Sequence, residues 1–389
     1  MKVAAKTANE AMAEAMRQIN PDVVAAYPIT PSTEIVQIFS QFVADGLVDT
    51  EFVPVESEHS AASACTGAAA AGARVMTATA SQGLALMNEV LFVTAGLRLP
   101  MVICEIARTL SAPINIHCDH SDTMDQRDTG WMQFYAEDSQ EAYDLVIQAM
   151  KISEEAFLPA MVSADAFILS HSLQRIDMLE DKEVQSFIGK HKTPFNLLDT
   201  DNPITVGPLD LQDYYFEHKR SEAEAMREAG KVIKKVFKDF GGKFKRKYDL
   251  IEEYKMKDAK KAIVIMGSTA GTAKEVVDNL RADGEKVGMV KICVFRPWPT
   301  EEINKALKNV DYLAVMDRAE GMSGFGAPLF TEIRSSLYDG EKKPDTYGYV
   351  YGLGGRDVKT GDIKEVFDDL KKVENGKKLA RNSYLGVRE

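Results

Sequence analysis

Glu58 is the residue on which this chain's chemistry is most readily placed. It follows the apolar stretch Phe52 to Val55 and a second acid, Glu56. It also opens a segment, SEHSAASACTGAAAAG, made almost wholly of Ser, Ala, Cys, Thr and Gly. Side chains that small let another body approach the backbone closely. An acid at the entrance of such an apolar helix is not there for solubility. Burial of its carboxyl would raise the pKa unless a donor meets it.

Arg108 follows the apolar run MVICEIA directly, which places a guanidinium at the C-terminal end of a central strand. That position suits bidentate recognition of a carboxylate; the alternative is a salt bridge to a local acid such as Asp119 or Asp122. Thr30 lies in YPITPST (27–33), between the end of one strand and the start of a helix capped by Ser32. Its hydroxyl could donate to an anion there, helped by the helix N-terminus, or the motif is simply a Pro-framed turn. IHCDH (116–120) places two His and one Cys at short spacing, either as metal ligands or as residues ordering a loop. GSTAGTAKE (267–275) leaves a strand and opens a helix like a phosphate cradle. It is neither GxGxxG nor a Walker loop, so a tight strand–helix turn is the better reading. The Gly loops GMSGFGAP (321–328) and GLGGRD (352–357) have no dedicated chemistry.

The elements that must position these residues alternate between strand and helix periods. Strand 23–27, helix from 33, strand 52–55, helix 57–71, strand 75–80, helix 83–97 and strand 101–107 follow an amphipathic first helix within residues 1–20. A long loop, 110–129, precedes helix 138–153 and strand 159–164; loops of that length tend to be functional. This alternation predicts a parallel sheet wrapped by helices, with ligands beyond the C-terminal strand ends. Residues 209–258 read as a charged helical connector whose stretch KVIKKVFKDFGGKFKRKYD is a solvated face. A second α/β unit fills 259–389 and ends in a polar tail.

The chain has 389 residues and a net charge of −12, which argues against nucleic acid as the main partner. No apolar run reaches the ~18 residues of a membrane span, and the N-terminus lacks a signal peptide's apolar core; a cytoplasmic protein is expected. Cys65, Cys104, Cys118 and Cys293 are scattered singly with no CxxC. A disulfide framework, a structural zinc or an iron–sulfur cluster held by this chain alone is not expected.

Taken together, YPITPSTEI, VESEHSAASACTGAAAAGARVMTATASQGL, ARTLSAPINIHCDHSD, DTGWMQFYAEDSQEAYDL and CVFRPWP resemble the α subunit of the multi-subunit 2-oxoacid:ferredoxin oxidoreductases. The likeness is greatest to the pyruvate type, known as pyruvate synthase, and spans nearly the whole chain. It implies a thiamine-diphosphate-enzyme pyrimidine-type domain over 1–208, a connector, and a smaller transketolase-C-terminal-like α/β domain over 259–389. It also implies a reaction, the oxidative decarboxylation of a 2-oxoacid to acyl-CoA and CO₂ with electrons passed to ferredoxin. Thiamine diphosphate would be shared with a β-type subunit. Mg²⁺ and [4Fe-4S] clusters would lie on other subunits of β, γ and δ type, and coenzyme A would be a co-substrate. By motif, Glu58 would hydrogen-bond N1′ of the aminopyrimidine, while Thr30 and Arg108 would hold the substrate carboxylate; no metal site falls on this chain.

Two features bear on the substrate. One Arg and one hydroxyl grip a monoanion, whereas oxalate would be expected to want a second cation. The segment EIARTLSAP departs from the pyruvate-type pattern, which has Asn before the Arg and Ala after it; Ala107 and Thr109 stand there instead. Alternatives are a complex for another 2-oxoacid (2-oxoisovalerate, phenylglyoxylate or oxalate) or a non-catalytic scaffold subunit. A self-sufficient thiamine enzyme would need a GDG-type motif, which the sequence lacks.

Overall fold

The computed structural model describes residues 2–388. Fifteen strands occur among them: β1 Lys2–Lys6, β2 Val23–Ala26, β3 Glu51–Pro54, β4 Val75–Thr79, β5 Val102–Ala107, β6 Met132–Tyr135, β7 Ala160–Asp165, β8 Gln174–Met178, β9 Ile251–Tyr254, β10 Lys261–Met266, β11 Val287–Ile292, β12 Val294–Arg296, β13 Tyr312–Asp317, β14 Asp345–Tyr351 and β15 Asn382–Leu385. The helices that matter to the site are α1 Ala8–Ile19, α2 Thr33–Ala44, α3 Glu58–Ala70, α4 Ser81–Leu86, α5 Asn88–Gly96, α6 Ser121–Asp125, α7 Ser139–Ala156, α8 Asp181–Ile188, α9 Tyr215–Phe244 and α10 Thr269–Ala282.

The larger sheet runs β12-β6-β7-β5-β4-β2-β3 and is parallel except for β12. Its central strands β4, β5 and β7 are buried at every position. Helices covering both faces therefore explain their continuous apolar runs. The order β3-β2-β4-β5 has a direct consequence. The loops leaving those four strands carry Glu58, Thr30, Ser81 and Arg108 to one edge.

The amino-terminal twenty residues are not one helix. Lys2–Lys6 pairs antiparallel with β8, and α1 starts only after Thr7, whose extended backbone and reciprocal bonds with Glu10 make a capping box. Likewise the expected helix 83–97 is two, α4 and α5, meeting at Met87.

The smaller sheet, β15-β14-β13-β10-β11-β9, takes in β9, which lies within the stretch read as connector. In return β12 pairs with β6 of the larger sheet. Helix α9 buries Ile233, Val236, Phe237, Phe240 and Phe244 in the first core and leaves its lysines outward. The basic stretch is thus the solvated side of a packed helix.

Two buried ion clusters join the sheets. Lys291, 1 % exposed, donates to Glu137 (2.6 Å) and Glu141 (2.7 Å) and pairs with Glu252 (2.9 Å). Asp165 accepts from Arg318 Nη1 (2.9 Å) and Ser268 N (3.1 Å), and its Oδ1 meets His120 Nε2 at 2.8 Å. Burial alone would raise the Asp165 carboxyl, but His120, Arg318 and Ser268 outweigh it and hold it well below the usual carboxylate range. Removing one member of a buried ion pair strands the other. Asp165→Ala is therefore expected to lower stability by about 3–5 kcal/mol, read as a fall in the urea midpoint; an unchanged midpoint would show that the cluster does not hold the two sheets together.

Candidate functional site

Glu58 is the first residue of α3, with Ser57 capping the helix through Ser60 N (3.2 Å). The buried face of α3, Ala61, Ala62, Cys65 and Ala69, lies in a cluster with Ala25, Val75 and Leu84. Small residues there let the helix sit close on the sheet. Glu58 itself is 6 % exposed, and among the described residues no other side chain donates to its carboxyl. Burial raises its pKa, offset in part by its own main-chain N–H. Glu56 behaves oppositely: it is exposed, and the Ser60 hydroxyl bonded to it lowers its carboxyl. The two acids do not form a pair.

Gly83 of α4 forms the wall beside Glu58. A Cβ built there would lie 2.7 Å from Glu58 Oε1, 2.8 Å from Glu58 Cγ and 2.5 Å from Thr79 Oγ1. Only a residue without a side chain leaves Glu58 in this position.

Arg108, also 6 % exposed, donates from Nη1 to Thr30 O (2.9 Å) and from Nε to Asn115 O (3.0 Å). Burial lowers its pKa and the nearby Asp122 charge raises it; a guanidinium stays charged regardless. Among the described residues Nη2 has no partner, and Arg108 forms no ion pair with Asp119 or Asp122. Asp122 instead accepts the Arg108 main-chain N–H (2.9 Å). The structure thus brings Thr30 and Arg108 together. Thr30 is exposed, with its carbonyl on Arg108 and its hydroxyl without a partner among the described residues. Ser32 does not cap α2 through its side chain, because its hydroxyl donates to Ile29 O (2.9 Å).

The second α/β unit supports this edge. Asn115, whose carbonyl takes Arg108 Nε, donates from Nδ2 to Gly354 O (3.0 Å), and Gly355 N donates to Cys118 O (2.7 Å). Gly354 and Gly355 have φ of 61° and 76°, and a Cβ on Gly355 would lie 2.4 Å from His117 Cβ. The Gly loop at 352–357 therefore has a definite use, close approach to the Arg108 loop.

The weaker motifs resolve into structure. Cys118, His120 and Asp165 could surround a cation, but the Arg318 guanidinium already occupies Asp165 at 2.9 Å. The turn at Gly267–Ser268 does cradle an anion. It is the chain's own Asp165 carboxylate, bonded to Ser268 N at 3.1 Å, and it fills the helix N-terminus where a phosphate would sit.

The sequence assigns Glu105 no role, and Asp122 only that of a possible salt-bridge partner for Arg108. Glu105 is fully buried in β5, with the Asp122 carboxyl and the Ser163 hydroxyl as its polar neighbours; an acid inside an all-apolar strand was the available signal. Burial first, and then the Asp122 charge, push its carboxyl well up, so it is the neutral member of the two.

The chemistry on offer follows. An unpartnered buried carboxyl faces a glycine wall, and a guanidinium with one free N–H end lies beside an exposed hydroxyl. The first can hydrogen-bond a flat, weakly basic heterocycle, and the second can hold a small carboxylate. The described residues thus fit the pyrimidine end of thiamine diphosphate, while they include no ready cradle for its diphosphate.

Comparison with known proteins identifies the family. Residues 14–238 match the family described as pyruvate flavodoxin/ferredoxin oxidoreductase, thiamine diP-bdg, and residues 259–363 match pyruvate:ferredoxin oxidoreductase core domain II. The chain is 52 % identical to pyruvate synthase subunit PorA of Thermotoga maritima over 99 % of its length and 98 % of the relative's. It is 45 % identical to ketoisovalerate oxidoreductase subunit VorA of Pyrococcus abyssi, covering 96 % of this chain and 94 % of that one. The solved 2-oxoglutarate:ferredoxin oxidoreductase from Magnetococcus marinus, with 2-oxoglutarate, coenzyme A and succinyl-CoA bound, superposes with a TM-score of 0.72 at 19 % identity. That match covers 95 % of this chain and 65 % of the other, and it speaks to the fold alone.

Proposed function

The chain belongs to the pyruvate flavodoxin/ferredoxin oxidoreductase family, and we propose that it is the pyrimidine-binding α subunit of a cytoplasmic pyruvate:ferredoxin oxidoreductase. Its fold is a thiamine-diphosphate-enzyme pyrimidine-type domain followed by a transketolase-C-terminal-like α/β domain. It is a subunit of a thiamine-diphosphate-dependent 2-oxoacid oxidoreductase. Among the described residues no helix is long and apolar enough to cross a membrane. The observation that carries the reading is the buried Glu58 carboxyl, without a side-chain partner among the described residues, on the same sheet edge as the Arg108–Thr30 pair.

When bound, thiamine diphosphate supplies the carbanion chemistry that lets a 2-oxoacid lose CO₂. Glu58 holds a hydrogen bond at the pyrimidine N1′ nitrogen from a buried position, where that bond is strongest. Gly83 keeps the carboxyl in place. Arg108 and the Thr30 hydroxyl hold the substrate carboxylate. Two groups give a moderate grip, as they must, because a tighter clamp would stabilise a carboxylate that has to leave as neutral CO₂. The diphosphate and Mg²⁺ are left to a β-type subunit, and the [4Fe-4S] clusters and ferredoxin docking to β-, γ- and δ-type subunits. Coenzyme A takes the acyl group. The exposed Leu86, Phe92 and Val93 on α4 and α5 give such a subunit an apolar surface near Glu58.

The two departures from the pyruvate pattern take local places beside Arg108. Ala107 is fully buried in β5, and the Thr109 hydroxyl donates locally to Leu110 O (3.2 Å). The likeness to pyruvate synthase subunits supports pyruvate as the expected substrate. The native complex, given coenzyme A and ferredoxin, should turn over pyruvate faster than 2-oxoisovalerate, 2-oxoglutarate or phenylglyoxylate. Preference for a branched or dicarboxylic 2-oxoacid would overturn the substrate, and no 2-oxoacid turnover at all would overturn the function.

Arg108→Ala should raise KM for the 2-oxoacid by about thirtyfold, the worth of a charge-assisted hydrogen bond, with a smaller fall in kcat. Steady-state kinetics of the assembled variant decide it; an unchanged KM removes Arg108 from the substrate site.

A further inference from the structure

We propose that Asp122 is a positioning residue that fixes Arg108, and with it the substrate carboxylate, relative to Glu58. The inference rests on the function proposed above. Asp122 opens onto no solvent: it is fully buried at the start of α6, with Glu105 beside it beneath the strand ends. Its Oδ2 accepts two main-chain N–H groups, Ser81 N at 2.8 Å and Arg108 N at 2.9 Å. Its Oδ1 accepts Thr123 N at 2.8 Å.

The first two donors come from different strand ends. Ser81 is the first residue of α4, the short helix that carries Gly83 against Glu58. Arg108 is the proposed substrate residue, one position beyond β5. A single carboxylate oxygen thereby ties the wall of the Glu58 pocket to the backbone that presents the guanidinium. Ser81 has a φ of 52°, a left-handed conformation that a non-glycine residue keeps only when its surroundings enforce it. Asp122 supplies part of that enforcement, and the Ser81 hydroxyl, donating to Thr109 O at 2.6 Å, supplies the rest. The same hydroxyl bond crosses from β4's end to β5's end, so the two strands are fastened twice.

Only a carboxylate satisfies all three amides. An amide side chain could offer its oxygen to Ser81 and Arg108, but its NH₂ would then face the Thr123 N–H, donor against donor. Glu105, Asp119, Arg108 and the buried Cys118 and Tyr135 are the charged or titratable groups grouped around Asp122. Burial first, and then the Asp119 charge, bring the Asp122 carboxyl up to about 6, while the neighbouring Glu105 carboxyl and the Arg108 and Ser81 amides hold it down. Above that pH the site carries one negative charge, on Asp122, as three converging N–H groups require.

The test is a double-mutant comparison in the assembled complex. Asp122→Asn should raise KM for pyruvate by about tenfold, part of the about thirtyfold expected for Arg108→Ala, because it displaces the guanidinium without removing its charge-assisted hydrogen bond. In the Arg108→Ala background the same substitution should leave KM unmoved, since residues acting in series are non-additive. A merely structural Asp122 would shift KM by the same factor in both backgrounds, and that result overturns the proposal. A raised KM in Arg108→Ala with an unmoved KM in Asp122→Asn overturns the positioning role alone. An unchanged KM in Arg108→Ala overturns the substrate site itself, and this inference with it. Should Asp122→Asn not assemble, hydrogen exchange on the wild-type complex decides: the Ser81 and Arg108 amides must exchange slowly, and rapid exchange at either overturns the link.

Discussion

Glu58→Gln leaves the complex assembled and lowers turnover on the order of 10³-fold, the range of a positioned acid–base group. The substitution is nearly isosteric, so the packing of α3 on β2 and β4 does not change. It also removes a buried carboxyl that no other side chain among the described residues satisfies. Burial without a partner costs stability, so the variant should unfold no more easily than the parent. What it loses is the acid. A glutamine cannot carry the proton or the negative charge that a strong hydrogen bond at a ring nitrogen needs. Glu56, two residues earlier, cannot take over: it is exposed, its carboxyl is held down by the Ser60 hydroxyl, and it does not face the Gly83 wall. The decisive measurement is pyruvate turnover of the assembled variant beside its unfolding midpoint. Wild-type-like turnover would return Glu58 to the status of a helix-start acid interacting with the macrodipole. Low turnover with lost stability would mean that the carboxyl is structural.

The residues proposed for the site were legible for a simple reason. Parallel strands deliver their following loops to one edge, so Thr30, Glu58 and Arg108 could be placed together once each was put at a strand end. What joins them could not be read. Asp122 lies in a loop without periodicity, and its importance comes from two amides distant in sequence that fold onto one oxygen. Asn115 and Gly354 meet across 239 residues. The GSTAG turn shows the opposite error of a local signal. Its helix N-terminus does attract an anion, yet Asp165 from the other sheet arrives there first. Some misses were avoidable. Thr7 and Glu10 spell a capping box that ends the first strand and starts α1, so the expected single N-terminal helix ignored a signal that was present. The break at Met87, between α4 and α5, carries no signal in the residue types around it.

Gly83→Ala reaches Glu58 without touching it in sequence. The variant is expected to lose on the order of 10² in kcat, the scale of a small misplacement at a reacting group, while KM for pyruvate stays near its parent value. Alanine is compatible with the helical backbone of α4, since Gly83 is not among the residues with positive φ. The conflict is entirely one of space. The new methyl would sit 2.7 Å from Glu58 Oε1, 2.8 Å from its Cγ and 2.5 Å from Thr79 Oγ1, separations that must relax. The Thr79 hydroxyl, buried and unpartnered, can rotate with little loss. The Glu58 side chain must therefore shift, which carries the carboxyl away from the position that a ring nitrogen would meet. Arg108 and Thr30 lie on other strand ends and keep their mutual bond, hence the separation of kcat from KM. Adding Thr79→Ala tests which contact matters. It relieves the hydroxyl conflict and leaves the Glu58 conflict, so turnover should stay low in the double variant. Recovery of turnover there would assign the effect to Thr79 and leave the position of Glu58 without a role in the rate.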